Sequence, residues 1–435
     1  MNEDDATDGR ALLQLFPDTA SLAPDGSLTV GDCRLDTIAE KFHTPVYVVD
    51  ELSMRRQARR YVDGLERRRP GSRVAFASKS FPCRAVYRLM ADEGLLIDVA
   101  GGGELVMALD AGVDPSTIVL HGNAKTNAEL RMALDAGVGT IVIDGLAEIT
   151  RLARLTTREQ RVLLRVQPGV DARTQAAIST GHRGSKFGVP VELVPEALDT
   201  IEQSTWLRLD GLHLHLGSQM LEVEPWREAI QIVAAFGGLH TYDLGGGLGV
   251  QYTRDQPAPT IDAYLDTVTA AAKEHLPDDA HLVIEPGRSL VAQSTVTVYR
   301  VVTVKTGDPT FVAVDGGMAD NFEASTYVGQ RFEATMVDRV GGGDVVELVG
   351  RQCESGDRLA SSIRLNKPAA GDLVVMPMTG AYTHTLANNY NGALRPAVIF
   401  CREGIATAVV RRDTYDDLLA REIPWPHGSV KATEG

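Results

Sequence analysis

From Val74 onward, short apolar runs alternate with stretches whose apolar residues recur every three to four positions. The runs are VAFASK (74–79), LLIDVA (95–100), IVLHG (118–122), TIVIDG (140–145), VLLRVQPG (162–169), GLHLHLGS (211–218), TYDLGGG (241–247) and LVIEPGR (282–288). Near-continuous apolarity of this length suits parallel strands buried on both faces, with helices crossing over between them. Eight such strands are the number that closes a β/α barrel. The segment MALDAGV occurs at 107–113 and again at 132–138. In both copies a glycine, Gly112 or Gly137, ends an apolar-periodic stretch, where a left-handed helix cap is expected. Convergence on a common helix ending and an old duplication both explain the pair, and both support repeated βα units.

After Arg288 the pattern changes. STVTVYRVVTVK, TFVAVDGG, DVVELVG, DLVVMPMTG and AVIFCREGIATAVVRR read as antiparallel strands with short turns, the last with a hairpin at Glu403–Gly404. GSLTVGDCRL near the start adds a strand to that second unit. The expected fold is therefore α/β: a (β/α)8 TIM-type barrel over residues 46–290, and an all-β domain from residues 21–45 and 291–425. Residues 1–20 and 426–435 are polar or acidic and read as disordered.

Composition narrows the function. The chain has 435 residues and a net charge of −15, which argues against nucleic acid and anionic membranes as main partners. No run of ~18 apolar residues exists to cross a membrane, and the N-terminus is too polar for a secretory signal. Cys33, Cys83, Cys353 and Cys401 are scattered, so neither a metal site nor a disulfide framework is expected. A reducing cytoplasm fits best.

Active sites of β/α barrels lie at the carboxyl ends of the strands. The polar residues at those ends are Lys79, Asp98, His121, Asp144, Arg165, His215, the glycines 245–247, and Glu285 with Arg288. A lysine ending a buried strand is either paired or functional. Burial is expected to lower its pKa and make it a nucleophile for an aldehyde. Lys186, in the glycine-rich GHRGSKFG, is the rival. DLGGGLG after the seventh strand offers backbone that approaches a phosphate closely. It is not GxGxxG, which disfavours a dinucleotide. Glu285 suits a pyridine nitrogen, where a carboxylate keeps the ring protonated and electron-withdrawing; otherwise it is an ion pair with Arg288. His215 is placed to stack on such a ring, and His213 shares its strand face. CESGD (353–357) puts Cys353 beside two acids, a candidate proton donor.

FASKS, DVAGGGEL, HGNAK, KFG, GLHLHLGSQ, DLGGGLG, EPGR, DGGMADN, CESGD, TGAY and NNYN, in this order from about residue 28 to 420, resemble the fold-type III decarboxylases. This family shares the alanine racemase-like barrel and uses pyridoxal 5'-phosphate. The diaminopimelate decarboxylase branch is the most similar; CESGD and GLHLHLGSQ are specific to it. The resemblance implies that Lys79 anchors the cofactor, Glu285 bonds its ring nitrogen and His215 stacks on the ring. Ser218, Gly245, Gly246, Gly247, Gly287, Arg288 and Tyr382 hold the phosphate end, and Asp98, Glu104 and Arg165 line the base. Cys353 returns the proton, and Arg288, Tyr327, Glu354 and Tyr382 contact substrate. It also implies a homodimer in which the CESGD loop enters the partner's site.

Two positions depart from the family pattern. Gly101 stands where Ser or Thr is usual. More consequentially, Glu323 in NFEASTY (321–327) replaces an arginine that helps bind the substrate's distal carboxylate, reversing the charge. Either Glu323 points away and Arg288 or another cation supplies the contact, or the substrate lacks that carboxylate, carries a cation there, or is a conjugated amino acid. The expected activity is a carboxy-lyase taking meso-diaminopimelate to L-lysine and carbon dioxide. The alternatives are decarboxylation of a cationic or conjugated amino acid, racemisation, which Glu285 disfavours, and a silent paralogue, which the retained Lys79 and Cys353 disfavour.

Overall fold

A computed structural model describes residues 9–170, 184–326 and 331–423. All eight expected barrel strands are present: β1 (Arg73–Ala77), β2 (Leu96–Val99), β3 (Ile118–Leu120), β4 (Thr140–Ile143), β5 (Gln160–Gln167), β6 (Leu207–His213), β7 (Thr241–Asp243) and β8 (His281–Ile284). Each pairs in parallel with its neighbour, and β8 returns to β1 through Val283↔Arg73 and Ile284↔Val74, which closes the barrel. The short strand Val189–Pro190 adds to β5.

The crossover helices use local capping chemistry. Thr126 accepts a hydrogen bond from the Glu129 amide at 3.2 Å, and the Glu129 carboxylate accepts one from the Thr126 amide at 2.8 Å. This reciprocal box starts the helix Asn127–Ala136, and Gly137, at φ +79°, ends it. Gly112 has φ +78°, so both repeat copies end as expected.

Strand periodicity explains how the barrel fills and where it turns polar. Leu96, Val119, Val142 and Leu163 pack together inside it, one from each of four successive strands. Side chains on a strand alternate between faces, so the residue two positions on points the same way. Two positions after these four come Asp98, His121, Asp144 and Arg165. The apolar plug and the polar floor above it are thus consecutive layers of one barrel interior.

The second unit is a nine-stranded mixed sheet. Along its main path the order is Arg358–Leu365, Asp344–Val349, Phe311–Val314, Thr295–Lys305, Val46–Asp50, Ala397–Arg402 and Ile405–Val410. Leu373–Met376 also pairs with Thr295–Lys305. Four expectations change. Val46–Asp50, which falls inside the expected barrel bounds of 46–290, lies in this sheet, antiparallel to Thr295–Lys305. The sheet is not purely antiparallel, because Ala397–Arg402 runs parallel to Val46–Asp50. The GSLTVGDCRL segment forms a separate three-stranded sheet, tied back by the Leu28 amide donating to Val337 O at 2.8 Å. Finally, the chain before residue 21 is packed where it is described: Leu12, Leu15 and Phe16 are buried in the core. Residues 1–8 and 424–435 lie outside the described residues.

Candidate active site

A cavity of ≈ 250 Å³ opens at the carboxyl ends of the strands, lined in part by Lys79, Asp98, Glu104, His121, Arg165, His213 and His215. Two of its walls come from the second unit: Glu323, in the helix Phe322–Thr326, and Tyr382. The second unit also grips the lysine turn directly. Tyr382, at a left-handed φ of +61°, donates its amide to Ser80 O at 2.8 Å, and Thr385 donates its hydroxyl to Lys79 O at 2.9 Å.

Lys79 sits in a one-turn helix, Ser78–Ser80, immediately after β1. Its side chain projects into the cavity, and Nζ has no hydrogen-bond partner among the described residues. The expected lowering of its pKa does not occur. Lys79 is exposed to the open cavity; the protein packed around its amine lowers the pKa, but Tyr382, Asp98 and Glu285 outweigh that desolvation and hold the ammonium above its ordinary value. Lys186, the rival, is exposed and lies over the Phe187 ring, outside the cavity wall.

Glu285 follows β8 and is held between two histidines. His121 Nε2 lies 2.8 Å from its Oε1, and His213 Nε2 lies 3.4 Å from its Oε2. Burial pushes this carboxyl up, but His121 and His213 outweigh burial and hold it well below the usual carboxylate range. Asp243, beside it on β7, goes the other way: burial and the Glu285 charge hold it well above its ordinary value. The floor therefore carries one ionised and one neutral carboxyl, as two close acids in low dielectric must. Burial also lowers His121, yet Asp98 and Glu285 raise it on balance, whereas His213 is pushed down to about 4 by burial. Asp98 is pushed up to about 7, also by burial.

Of the remaining predicted residues, Ser218 and Arg288 line the wall, and Arg288 donates to Ser218 Oγ at 3.3 and 3.4 Å. Glu104 accepts the Ala100 amide at 2.6 Å, and Arg165 lies over the Phe187 ring at 4.4 Å. Gly245, Gly246, Gly247 and Gly287 stand behind the cavity wall. Their requirement is packing: a Cβ at Gly246 would lie 2.0 Å from Glu285 O, and Gly245 and Gly247 have φ of +63° and +115°. The Gly246 amide donates to His215 Nδ1 at 3.1 Å, which orients that ring.

Glu323 does not point away. It is 2% exposed and forms a two-bond pair with Arg288. Cys353 and Glu354 are exposed and do not line this chain's cavity. Their loop is shaped by buried Asp357, which accepts the Met318 and Gln352 amides at 2.6 and 2.7 Å. Tyr327 lies outside the described residues. Residues that sequence reasoning left without a role are His121 and His213, which clamp Glu285, and Tyr252, whose hydroxyl takes a hydrogen bond from Arg288. The alternating HLH of β6 and the aromatic following the glycine run were the available signals.

The donor set fits pyridoxal 5'-phosphate. A partnerless lysine amine answers an aldehyde. Buried Glu285 Oε1, which has no well-aligned hydrogen bond, answers a ring nitrogen. The Ser218 hydroxyl, with the positive charge of the Arg288 guanidinium beside it, answers a phosphate.

Comparison with known proteins agrees. Residues 52–292 match the family model for the pyridoxal-binding domain of pyridoxal-dependent decarboxylases. A diaminopimelate decarboxylase of Actinosynnema pretiosum is 42% identical over 413 residues, covering 92% of this chain and 93% of that protein. The Bacillus subtilis enzyme of the same name is 37% identical, covering 93% and 97%. The structure of diaminopimelate decarboxylase from M. jannaschii in complex with L-lysine superposes with a TM-score of 0.87 at 30% identity, covering 94% of this chain and 99% of that one. A lysine/ornithine decarboxylase of Vibrio vulnificus, in complex with putrescine, reaches 0.73 at 26% identity, covering 85% and 97%. Fold, polar floor and full-length similarity converge: this chain belongs to the pyridoxal-dependent decarboxylases and is a carboxy-lyase that works with pyridoxal 5'-phosphate.

Proposed function

We propose that the protein removes the α-carboxylate of a diamino acid, with meso-diaminopimelate to L-lysine and carbon dioxide as its reaction. The observation that carries this reading is the convergence, in one cavity, of a partnerless Lys79 amine and a Glu285 carboxylate kept ionised by His121 and His213. The relatives named above supply the substrate.

When bound, the cofactor draws off the electron pair left on the α-carbon as carbon dioxide departs. Glu285 holds a proton on the ring nitrogen, and its low pKa keeps it in the anionic form that this task needs. Lys79 is the covalent anchor. Its raised pKa means that it sheds a proton to a neighbouring base before bonding a carbonyl, and Asp98, at about 7, is the carboxyl suited to take it. His215, whose pKa is held well below its ordinary value mainly by burial, lines the cavity and would pack against the ring without adding charge. Ser218 would hold the phosphate end, and Arg288, whose donors are engaged by Glu323, Tyr252 and Ser218, would lend its charge beside it. Asp98, Glu104 and Arg165 form the base, and Tyr382 closes the wall from the second unit.

Cys353 and Glu354 are exposed and do not line their own cavity, so we assign them to the site of a second copy, with Cys353 as proton donor. A homodimer follows, and light scattering that reads a monomer's mass at working concentration would sink this part. All four cysteines are free, and among the described residues no helix is long and apolar enough to cross a membrane. We therefore place the protein in the cytoplasm.

The test is carbon dioxide release from meso-diaminopimelate by cofactor-loaded protein. Lys79→Ala abolishes turnover and removes the cofactor's visible absorbance. Full activity in that variant, or epimerisation without gas release in the wild type, overturns the reading.

A further inference from the structure

Arg288 Nη1 donates to Glu323 Oε2 at 2.9 Å, and Nη2 donates to Oε1 at 3.1 Å. Both residues line the cavity, and they are 6% and 2% exposed. The other donors of Arg288 are also engaged. Nη1 reaches the Tyr252 hydroxyl, and Nε and Nη2 reach Ser218 Oγ at 3.4 and 3.3 Å. The Tyr382 ring covers the guanidinium at 4.7 Å. A guanidinium has five N–H donors, and these contacts use all five. Among the described residues, the other lysine and arginine lining the cavity are Lys79, the reacting amine, and Arg165, which lies 3.5 Å from Asp144 and over Phe187.

We propose that Glu323 is the specificity-determining residue of this site: it occupies the place on Arg288 that a second substrate carboxylate would take, and so the far end of the substrate is held through its ammonium rather than its carboxylate. The proposal rests on the decarboxylase reading above and deepens it. A distal carboxylate reaches Arg288 only by displacing Glu323, which strips a buried carboxylate of its partner or sets two carboxylates side by side. A distal ammonium needs no displacement, because each Glu323 oxygen accepts one bond from Arg288 and keeps a lone pair. meso-Diaminopimelate, which carries both groups at its far end, meets Glu323 as a competitor of its own carboxylate.

The experiment compares wild type with Glu323→Gln, which keeps the size and one acceptor but removes the charge. Two readouts are taken on cofactor-loaded protein. One is carbon dioxide release from meso-diaminopimelate and from D- and L-lysine. The other is calorimetric binding of pimelate, a dicarboxylate with no amine. In Glu323→Gln, pimelate binding tightens and KM for meso-diaminopimelate falls, each by about tenfold, while kcat/KM for lysine falls. Glu323→Asp, whose shorter side chain keeps the charge but loosens the two-bond pair, gives a smaller shift in pimelate binding in the same direction and serves if the glutamine variant does not fold. Pimelate affinity and the diaminopimelate-to-lysine ratio unchanged in a folded variant overturn the proposal and leave the decarboxylase reading standing. A wild type that carries the cofactor but releases carbon dioxide from none of the three amino acids sinks that reading instead, while pimelate binding still tests Glu323.

Discussion

Glu285 and Glu323 are both nearly inaccessible carboxylates in the wall of one cavity, yet they are satisfied in opposite ways. Glu285 is flanked by two imidazoles, and its Oε1 is left without a well-aligned hydrogen bond. Glu323 is met by both forks of a guanidinium. A buried acceptor left short of partners costs stability, so a fold that keeps one has a ligand to give it to. A carboxylate paired by two bonds leaves its own cation nothing to offer a second carboxylate, and acts by what it denies to others. The floor is built to receive charge, and the far wall is built to cancel it.

Removing the floor's charge has the largest effect. Glu285→Gln keeps the volume but no longer holds a proton on the ring nitrogen, so kcat for carbon dioxide release falls by about 100-fold or more. Cofactor remains bound through Lys79 and the phosphate end, so visible absorbance persists. Stopped assays of kcat alongside the absorption spectrum check this. A kcat within fivefold of wild type breaks the distinction between the two carboxylates.

The same contrast marks what the sequence makes legible. Lys79, Glu285 and His215 stand at the ends of runs whose strand character is plain, and period-two alternation alone carries their side chains to the barrel mouth. The Arg288–Glu323 pair joins positions 35 apart, one in each unit, so local pattern names both residues but not their contact. Val46–Asp50 misleads for a related reason. Its five residues are all buried, so it has the same apolar signature as a barrel strand, although its partners come from residues 295–298 and 397–401. The packed Leu12–Phe16 segment was hidden by the acidic stretch before it. Cys353 and Glu354 were readable as chemistry from their own residues, but a location outside their own cavity came only from the family resemblance, since local pattern does not carry it.

Acid separates the two walls next. His213 is fully buried and pushed down to about 4 by burial, against ~6.5 in an unfolded chain. As pH falls, the unfolded chain takes up this proton first. The associated stability is therefore complete above pH ~6.5 and is lost as pH drops toward 4, approaching about 3 kcal/mol. His384, also pushed down to about 4, adds a loss of the same sign, while Asp98 and Asp320, each pushed up to about 7 by burial, contribute the opposite sign, so His213→Gln changes the slope by its own share without removing the pH dependence. Arg288 is held well above its ordinary value, burial being outweighed by Tyr252 and Glu323, and contributes nothing in this window. Denaturant midpoints of cofactor-free protein between pH 7 and pH 4 read the slope. An identical slope in wild type and variant would remove the imidazole clamp as the acid-sensitive part of the cavity.

The smallest effect is expected at Tyr252, behind the far wall. Tyr252→Phe removes the hydroxyl that takes a hydrogen bond from Arg288, while the ring stays packed edge-on against Phe332 at 4.8 Å. One buried guanidinium N–H loses its partner, which costs about 1–2 kcal/mol of unfolding free energy. The Glu323 pair survives, so the preference between meso-diaminopimelate and lysine stays where it was. Chemical denaturation and the ratio of kcat/KM for the two amino acids measure both halves of this expectation. If Tyr252→Phe instead shifts that ratio as far as Glu323→Gln does, then the exact seating of Arg288, and not the charge held against it, decides which far end the cavity accepts.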